Sequence, residues 1–189
     1  MKQKDHKALG KYLLDSVGTG RLWHRTWHRR IFLLGCISPD YIPFTYLRGF
    51  RKSRAMLGHN EQYSDKHIQK SIRRLERRGI RRFRDCFALG SLMHYLADSF
   101  TFPHTEGFLG DMHAHRAYEK ELHTYFSNYL QKAAAQPLPT ACIAERLSDF
   151  LHSGRREYEN GERTLERDCR QIIQACTGVF QTLCYVEQR

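Results

Sequence analysis

Between His94 and Glu119 the chain places five good metal ligands within 26 residues: His94, Asp98, His104, His115 and Glu119. His94 and Asp98 are four apart, so on a helix both side chains leave one face, and His115 and Glu119 repeat that spacing. Pro103 predicts a break between the two pairs, with His104 projecting from the turn. Imidazole with carboxylate suits zinc, with a position left open for water. A single His/Asp pair at this spacing is ordinarily a solvated helix face, and histidine is abundant here at 11 of 189 residues. Two such pairs joined by a further histidine across a proline turn point instead to a ligand cluster.

Such a cluster needs helices facing one another across a bundle core. The pattern predicts helices near 5–17, 26–36, 59–78, 83–101, 112–134, 139–154 and 158–186, with boundaries good to about two to four residues. Ser38-Pro-Asp40-Tyr-Ile-Pro43 reads as a loop, and Gln136-Pro-Leu-Pro139 and Asn160-Gly161 as further breaks. No internal repeat and no long linker is visible. The expectation is a single all-α domain over 1–189, a multi-helix bundle with an apolar fraction of 41% to fill its core.

Charge narrows the partners. Lys+Arg of 31 against Asp+Glu of 20 leaves +11, which favours phosphate-bearing molecules: anionic lipid, nucleic acid or phosphorylated small molecules. Lys66, Lys70, Arg73, Arg74, Arg77, Arg78, Arg81, Arg82 and Arg84 make one basic stretch, ordinarily a solvated face and alternatively a membrane- or phosphate-facing patch. No apolar run reaches the length of a membrane span, and the basic start is not followed by the apolar core of an export signal, so a cytoplasmic location is expected. The six cysteines form no CxxC pair; Cys169, Cys176 and Cys184 fall in an apolar helical stripe and read as core thiols.

Outside the central motif the candidates are weaker one by one. Asp40 follows a proline after an apolar helix, where a turn or cap role is the ordinary one. His59 lies near a helix start, and His6 opens the first helix. His123 continues the His115/Glu119 face by one turn, as a supporting or exposed group. His24 and His28 favour packing or surface roles. His67, His113 and His152 lack context.

The pattern His94-Tyr-x-x-Asp98-x-x-x-x-Pro103-His104, then His115-x-x-x-Glu119, resembles the signature of the bacterial zinc-dependent phospholipases C. His6, the segment Leu34-Gly-x-x-x-Pro39-Asp40 and His59 occur upstream in the order that family uses. The resemblance implies the fold shared by those enzymes and the single-strand-specific zinc nucleases, with two or three Zn2+ ions. By that template Asp40, His59, His94 and Asp98 surround one zinc, and His104, His115 and Glu119 hold a second. His6 and a bridging Asp98 serve a third with the amino terminus. Tyr41 falls where the family places an aromatic residue for the lipid head group. Asp40 could be a ligand, orient the water or act as base.

The implied activity is phosphodiester hydrolysis by a zinc-activated hydroxide, with phospholipid as substrate and peripheral contact with an anionic membrane. One departure stands out: the exported family members begin with a tryptophan that binds the third zinc, whereas here the first tryptophan is Trp23. A zinc nuclease or nucleotidase, acting on nucleic acid, is the closest rival. Those enzymes typically end the motif in His-x-x-x-Asp, and this chain has Glu119. The other class is a non-catalytic helical protein that is zinc-stabilised or binds phospholipid.

Overall fold

A computed structural model describes residues 1–18, 20–41, 61–105, 107–135 and 146–185. Among them are seven α-helices and no strand: α1 (Gln3–Ser16), α2 (Thr26–Tyr41), α3 (Glu61–Arg78), α4 (Phe83–Ser99), α5 (Met112–Ala134), α6 (Leu147–Glu159) and α7 (Leu165–Tyr185). Two 3-10 turns, Arg21–His24 and Phe102–His104, precede α2 and follow α4.

α4 is the central helix. Cys86, Leu89, Gly90, Leu92, Met93, Leu96 and Ala97 are all buried, together with His94 and Asp98, so the helix is covered on almost every side. α2 lies against it backbone to backbone. A Cβ built on Gly90 would fall on the Phe32 carbonyl oxygen, and one on Gly35 would meet the Phe87 carbonyl group. Only glycine permits this approach, and it brings the α2 carbonyls within reach of α4 side chains. α1, α3 and α7 pack around the same helix. Phe32, Trp23 and Phe180 close the core, with ring centroids 5.4–5.5 Å apart.

Local chemistry sets several ends. The Asp5 carboxylate accepts from the Lys2 N–H at 3.2 Å and caps α1. Asp85 does the same for Arg82 N–H at 3.0 Å at the start of α4. Gly79, at φ 66°, ends α3 with its N–H on the Leu75 carbonyl. Asp111 caps α5 through the N–H groups of His113 and Ala114. Lys66, Lys70, Arg73, Arg74, Arg77, Arg78, Arg81, Arg82 and Arg84 are all exposed, so the basic stretch lies on the surface.

Three expectations are corrected. The segment read as a loop from Ser38 continues α2 through Pro39 to Tyr41. Pro39 has no N–H for the Gly35 carbonyl, the usual partner four residues back. That carbonyl instead accepts from the Ser38 hydroxyl at 3.2 Å and from the Ser91 hydroxyl of α4 at 3.4 Å. The helix placed at 139–154 runs Leu147–Glu159, through Gly154, and 139–145 lie outside the described residues. The last helix begins at Leu165, not 158, because Thr164 caps it by accepting from the Arg167 N–H at 3.2 Å.

Among the described residues no cysteine forms a disulfide, and Cys36, Cys86, Cys169 and Cys176 are buried. No helix among them is long and apolar enough to cross a membrane.

Candidate metal centre

Four helices and one turn bring the predicted ligands among the described residues to one place. His6 of α1 stacks on His94 of α4, with ring centroids 3.8 Å apart and 23° between planes. His6 Nε2 is 3.2 Å from Asp98 Oδ1, and His94 Nε2 is 3.3 Å from Asp98 Oδ2. One ligand atom from each of His6, His94 and Asp98 can be chosen so that all lie within 4.8 Å of one another. Asp98 therefore faces two imidazoles with its two oxygens, as a bridging carboxylate does.

His6 supplies the test of whether a cation fits. The residue is 1% exposed, and neither ring nitrogen makes a hydrogen bond. Its approach to Asp98 is close but not aligned for one. An imidazole buried with both nitrogens unbonded costs about 1–3 kcal/mol unless something else takes the lone pair. A metal ion does so, and the surrounding nitrogen and carboxylate donors are the set zinc prefers.

The remaining imidazoles are oriented from behind. His94 Nδ1 lies 2.9 Å from the Cys36 carbonyl, which can only accept, so Nδ1 carries the proton and Nε2 turns its lone pair toward Asp98 and Asp40. The Thr101 hydroxyl donates to the Asp98 carbonyl at 2.8 Å, so it must accept from His104 Nδ1 at 2.6 Å. That fixes the same tautomer at His104, with Nε2 as the acceptor nitrogen. The His104 and His115 rings meet edge to face at 5.2 Å, and His115 Nε2 is 3.5 Å from Glu119 Oε1.

The amino group of Met1 reaches the cluster too. It donates to Asp98 Oδ1 at 2.7 Å and lies 3.2 Å from Glu119 Oε1, and so links the two ligand pairs. Asp5 anchors this end of α1 from below: its Oδ1 is 2.5 Å from His123 Nδ1 and its Oδ2 caps Lys2. His123 thus supports the cluster from one turn beyond Glu119.

Burial and charge compete throughout. Burial raises the Asp98 carboxyl, but the Met1 ammonium and the imidazoles of His6, His94 and His104 hold it well below the usual range. Glu119, pushed up by burial, is brought down to about 2 by His115 and Met1. Burial and the neighbouring His6 lower His94 to about 3, so its ring is neutral and able to coordinate. Asp40 is raised, chiefly by burial.

Asp40, next to last in α2, has Oδ1 3.5 Å from His94 Nε2, at the edge of the cluster. Tyr41 is 66% exposed, and its hydroxyl donates to Gln3 Oε1 at 3.0 Å. His59 lies outside the described residues. His28 is buried against Phe83, His67 packs on Tyr95, and His24, His113 and His152 are exposed, all away from the cluster's contacts.

The cluster opens into a pocket of about 590 Å³. Its floor is Met1, Asp40, Asp98, His104, His115 and Glu119; its outer wall is Pro103, Phe108, Leu109 and Met112, with Arg116 at the rim. Leu109 is 97% exposed. Sequence reasoning passed over Asp5, Cys36, Thr101, Arg116 and this lip. Only Thr101, three residues before His104 in a turn, carried a local signal.

The fold is all-α, and the imidazoles and carboxylates it gathers beneath an open pocket form a candidate metal centre. The chain belongs to the zinc-dependent phospholipase C family, whose model matches residues 5–175 of 189. No curated protein and no solved structure gave a match.

Proposed function

We propose that this protein is a zinc-dependent hydrolase of phosphate esters that cleaves phosphodiesters in the manner of a phospholipase C, over one domain spanning 1–189. The observation that carries the reading is the buried set His6, His94 and Asp98, with an imidazole whose nitrogens no hydrogen bond satisfies. Membership of a zinc-dependent family supports the choice of metal.

His6, His59, His94, Asp98, His104, His115 and Glu119 are the ligands of two or three zinc ions, with Asp40 at their edge. When bound, zinc ions acidify a water and neutralise charge on the phosphoryl oxygens. The chain's own residues do the rest. Asp98 faces His6 with one oxygen and His94 with the other and so unites one half of the cluster. Cys36 and Thr101 hold His94 and His104 in the tautomers that coordinate. Asp40 borders both the cluster and the pocket, where its carboxylate can accept a hydrogen bond from the attacking water and orient it.

The pocket supports phospholipid as substrate. One wall is apolar and exposed, and Arg116 adds a cation to the lining. A substrate with an acyl end and an anionic head matches that division, and the exposed lip and basic surface suit peripheral contact with an anionic membrane.

The test is zinc per chain by elemental analysis, beside hydrolysis of phosphatidylcholine vesicles, a soluble phosphodiester and single-stranded DNA, for wild type and His94→Ala. Two or three zincs, with both zinc and lipid cleavage lost in the variant, are expected. One zinc or none in the wild type would refute the proposal. Faster cleavage of DNA than of lipid would assign the same centre to a nuclease.

A further inference from the structure

Behind the ligand-bearing face lies a second carboxylate that the metal chemistry does not use. Asp168, in the first turn of α7, is 1% exposed. Its Oδ1 accepts from the Tyr158 hydroxyl at 2.7 Å. Its Oδ2 accepts from the Phe102 N–H at 3.3 Å and also from the Tyr118 hydroxyl. The Arg163 guanidinium covers the outer side, 5.5 Å from the Phe102 ring centroid and 5.3 Å from that of Tyr158.

A buried carboxylate is an expensive way to pack the start of a helix, since an apolar residue of like size carries no desolvation cost. The partners of this one show what it accomplishes. Phe102 begins the turn that ends at His104. Tyr118 stands on α5 between His115 and Glu119. The two elements that supply one half of the metal centre are therefore tied to a single oxygen atom. Their separation is fixed by two hydrogen bonds that meet there, not by the helix packing alone.

We propose that Asp168 is the positioning residue of the His104, His115 and Glu119 ligand set, holding the turn and α5 at the spacing a shared ion needs. This rests on the reading of those three residues as a zinc site. The other set, His6, His94 and Asp98, stands on α1 and α4, and its side chains make no hydrogen bond to Asp168. The consequence is selective: disturbing Asp168 acts on one half of the centre.

Two variants separate this role from a purely structural one. Asp168→Asn keeps the shape but sets a donor, the amide N–H₂, against a group that itself donates. Tyr118→Phe keeps the carboxylate with its Phe102 and Tyr158 bonds and removes only the tie to α5. The full-length variants, stripped of metal, are titrated with zinc against a chromophoric chelator, and cobalt spectra report ligand geometry. His104→Ala identifies which binding class belongs to the set.

Both variants are expected to weaken that class, Asp168→Asn by about 10- to 100-fold and Tyr118→Phe by less, while the other class keeps its wild-type affinity. Unchanged affinity of every class in Tyr118→Phe overturns the proposal, and this variant decides alone if Asp168→Asn does not fold. Equal weakening of all classes also overturns it, and leaves Asp168 as a residue of the fold only. A wild-type chain that binds fewer than two zincs overturns the zinc reading itself, and the positioning role with it.

Discussion

Replacing Gly90 with alanine adds one carbon at the closest point between α2 and α4. That carbon would fall on the Phe32 carbonyl oxygen, 2.8 Å from Cys36 N and 2.9 Å from Gly35 Cα. Unstrained contacts between such atoms lie near 3.5–4.0 Å, so the helices must part by about 1 Å. Every opposing atom is backbone, and none can rotate aside. Overpacking of this kind costs about 1–3 kcal/mol, here at the upper end. The same parting takes the Cys36 carbonyl out of range of His94 Nδ1, now 2.9 Å away, for a further loss of about 1 kcal/mol. Alanine's better helix propensity returns about 1 kcal/mol. The net expectation is a destabilisation of about 3 kcal/mol, or roughly 6–12 °C in Tm for a chain of this size. The assay is urea and thermal unfolding of the metal-free protein, with Gly154→Ala as the control. There the nearest atom to the new carbon is Phe100 Cζ at 4.0 Å, so the same substitution should stabilise by about 0.5–1 kcal/mol. Equal stability of Gly90→Ala and wild type would refute the backbone contact and, with it, the account of how Cys36 orients His94.

Two further outcomes follow from the groups behind the ligands. Thr101→Val removes the acceptor for His104 Nδ1–H and should weaken one class of zinc about tenfold in a chelator competition, whereas Thr101→Ser should restore it. Asp5→Ala removes the α1 cap and the partner of His123 together, and should cost about 1–3 kcal/mol in urea unfolding; a loss below about 0.5 kcal/mol would show that the Asp5–His123 contact does not hold the amino-terminal turn.

Much of the centre was legible because its ligands come in pairs at helical spacing. His94 with Asp98 and His115 with Glu119 announce two faces, and Pro103 announces the turn that sets His104 between them. What joins these pieces has no local signature. Pro39 reads as a helix stop, yet the stranded Gly35 carbonyl is satisfied by the hydroxyls of Ser38 and of Ser91, the latter 52 positions beyond Pro39. Asp168 looks like an ordinary acidic residue in a first helical turn. Its importance lies in Phe102 and Tyr118, which no periodicity connects to it. Asp40 was placed in a loop for the same reason that Pro39 was, yet the two ends of α2 and α4 still bring it beside His94. Backbone carbonyls such as Cys36 carry no residue-type signal at all.

The joining of His6 and Met1 to Asp98 also bears on how the protein comes to fold. The Met1 amine and Asp98 are 97 positions apart in sequence. Closing so long a loop costs chain entropy before any ligand bond can repay it, so contacts of this range form late. Until α1 docks on α4, the set of His6, His94 and Asp98 has only its last two members in place, too few donors to grip an ion there tightly. The helical core must therefore assemble first, and completion of that set becomes a late step that locks α1 onto a helix nearly a hundred positions further along the chain.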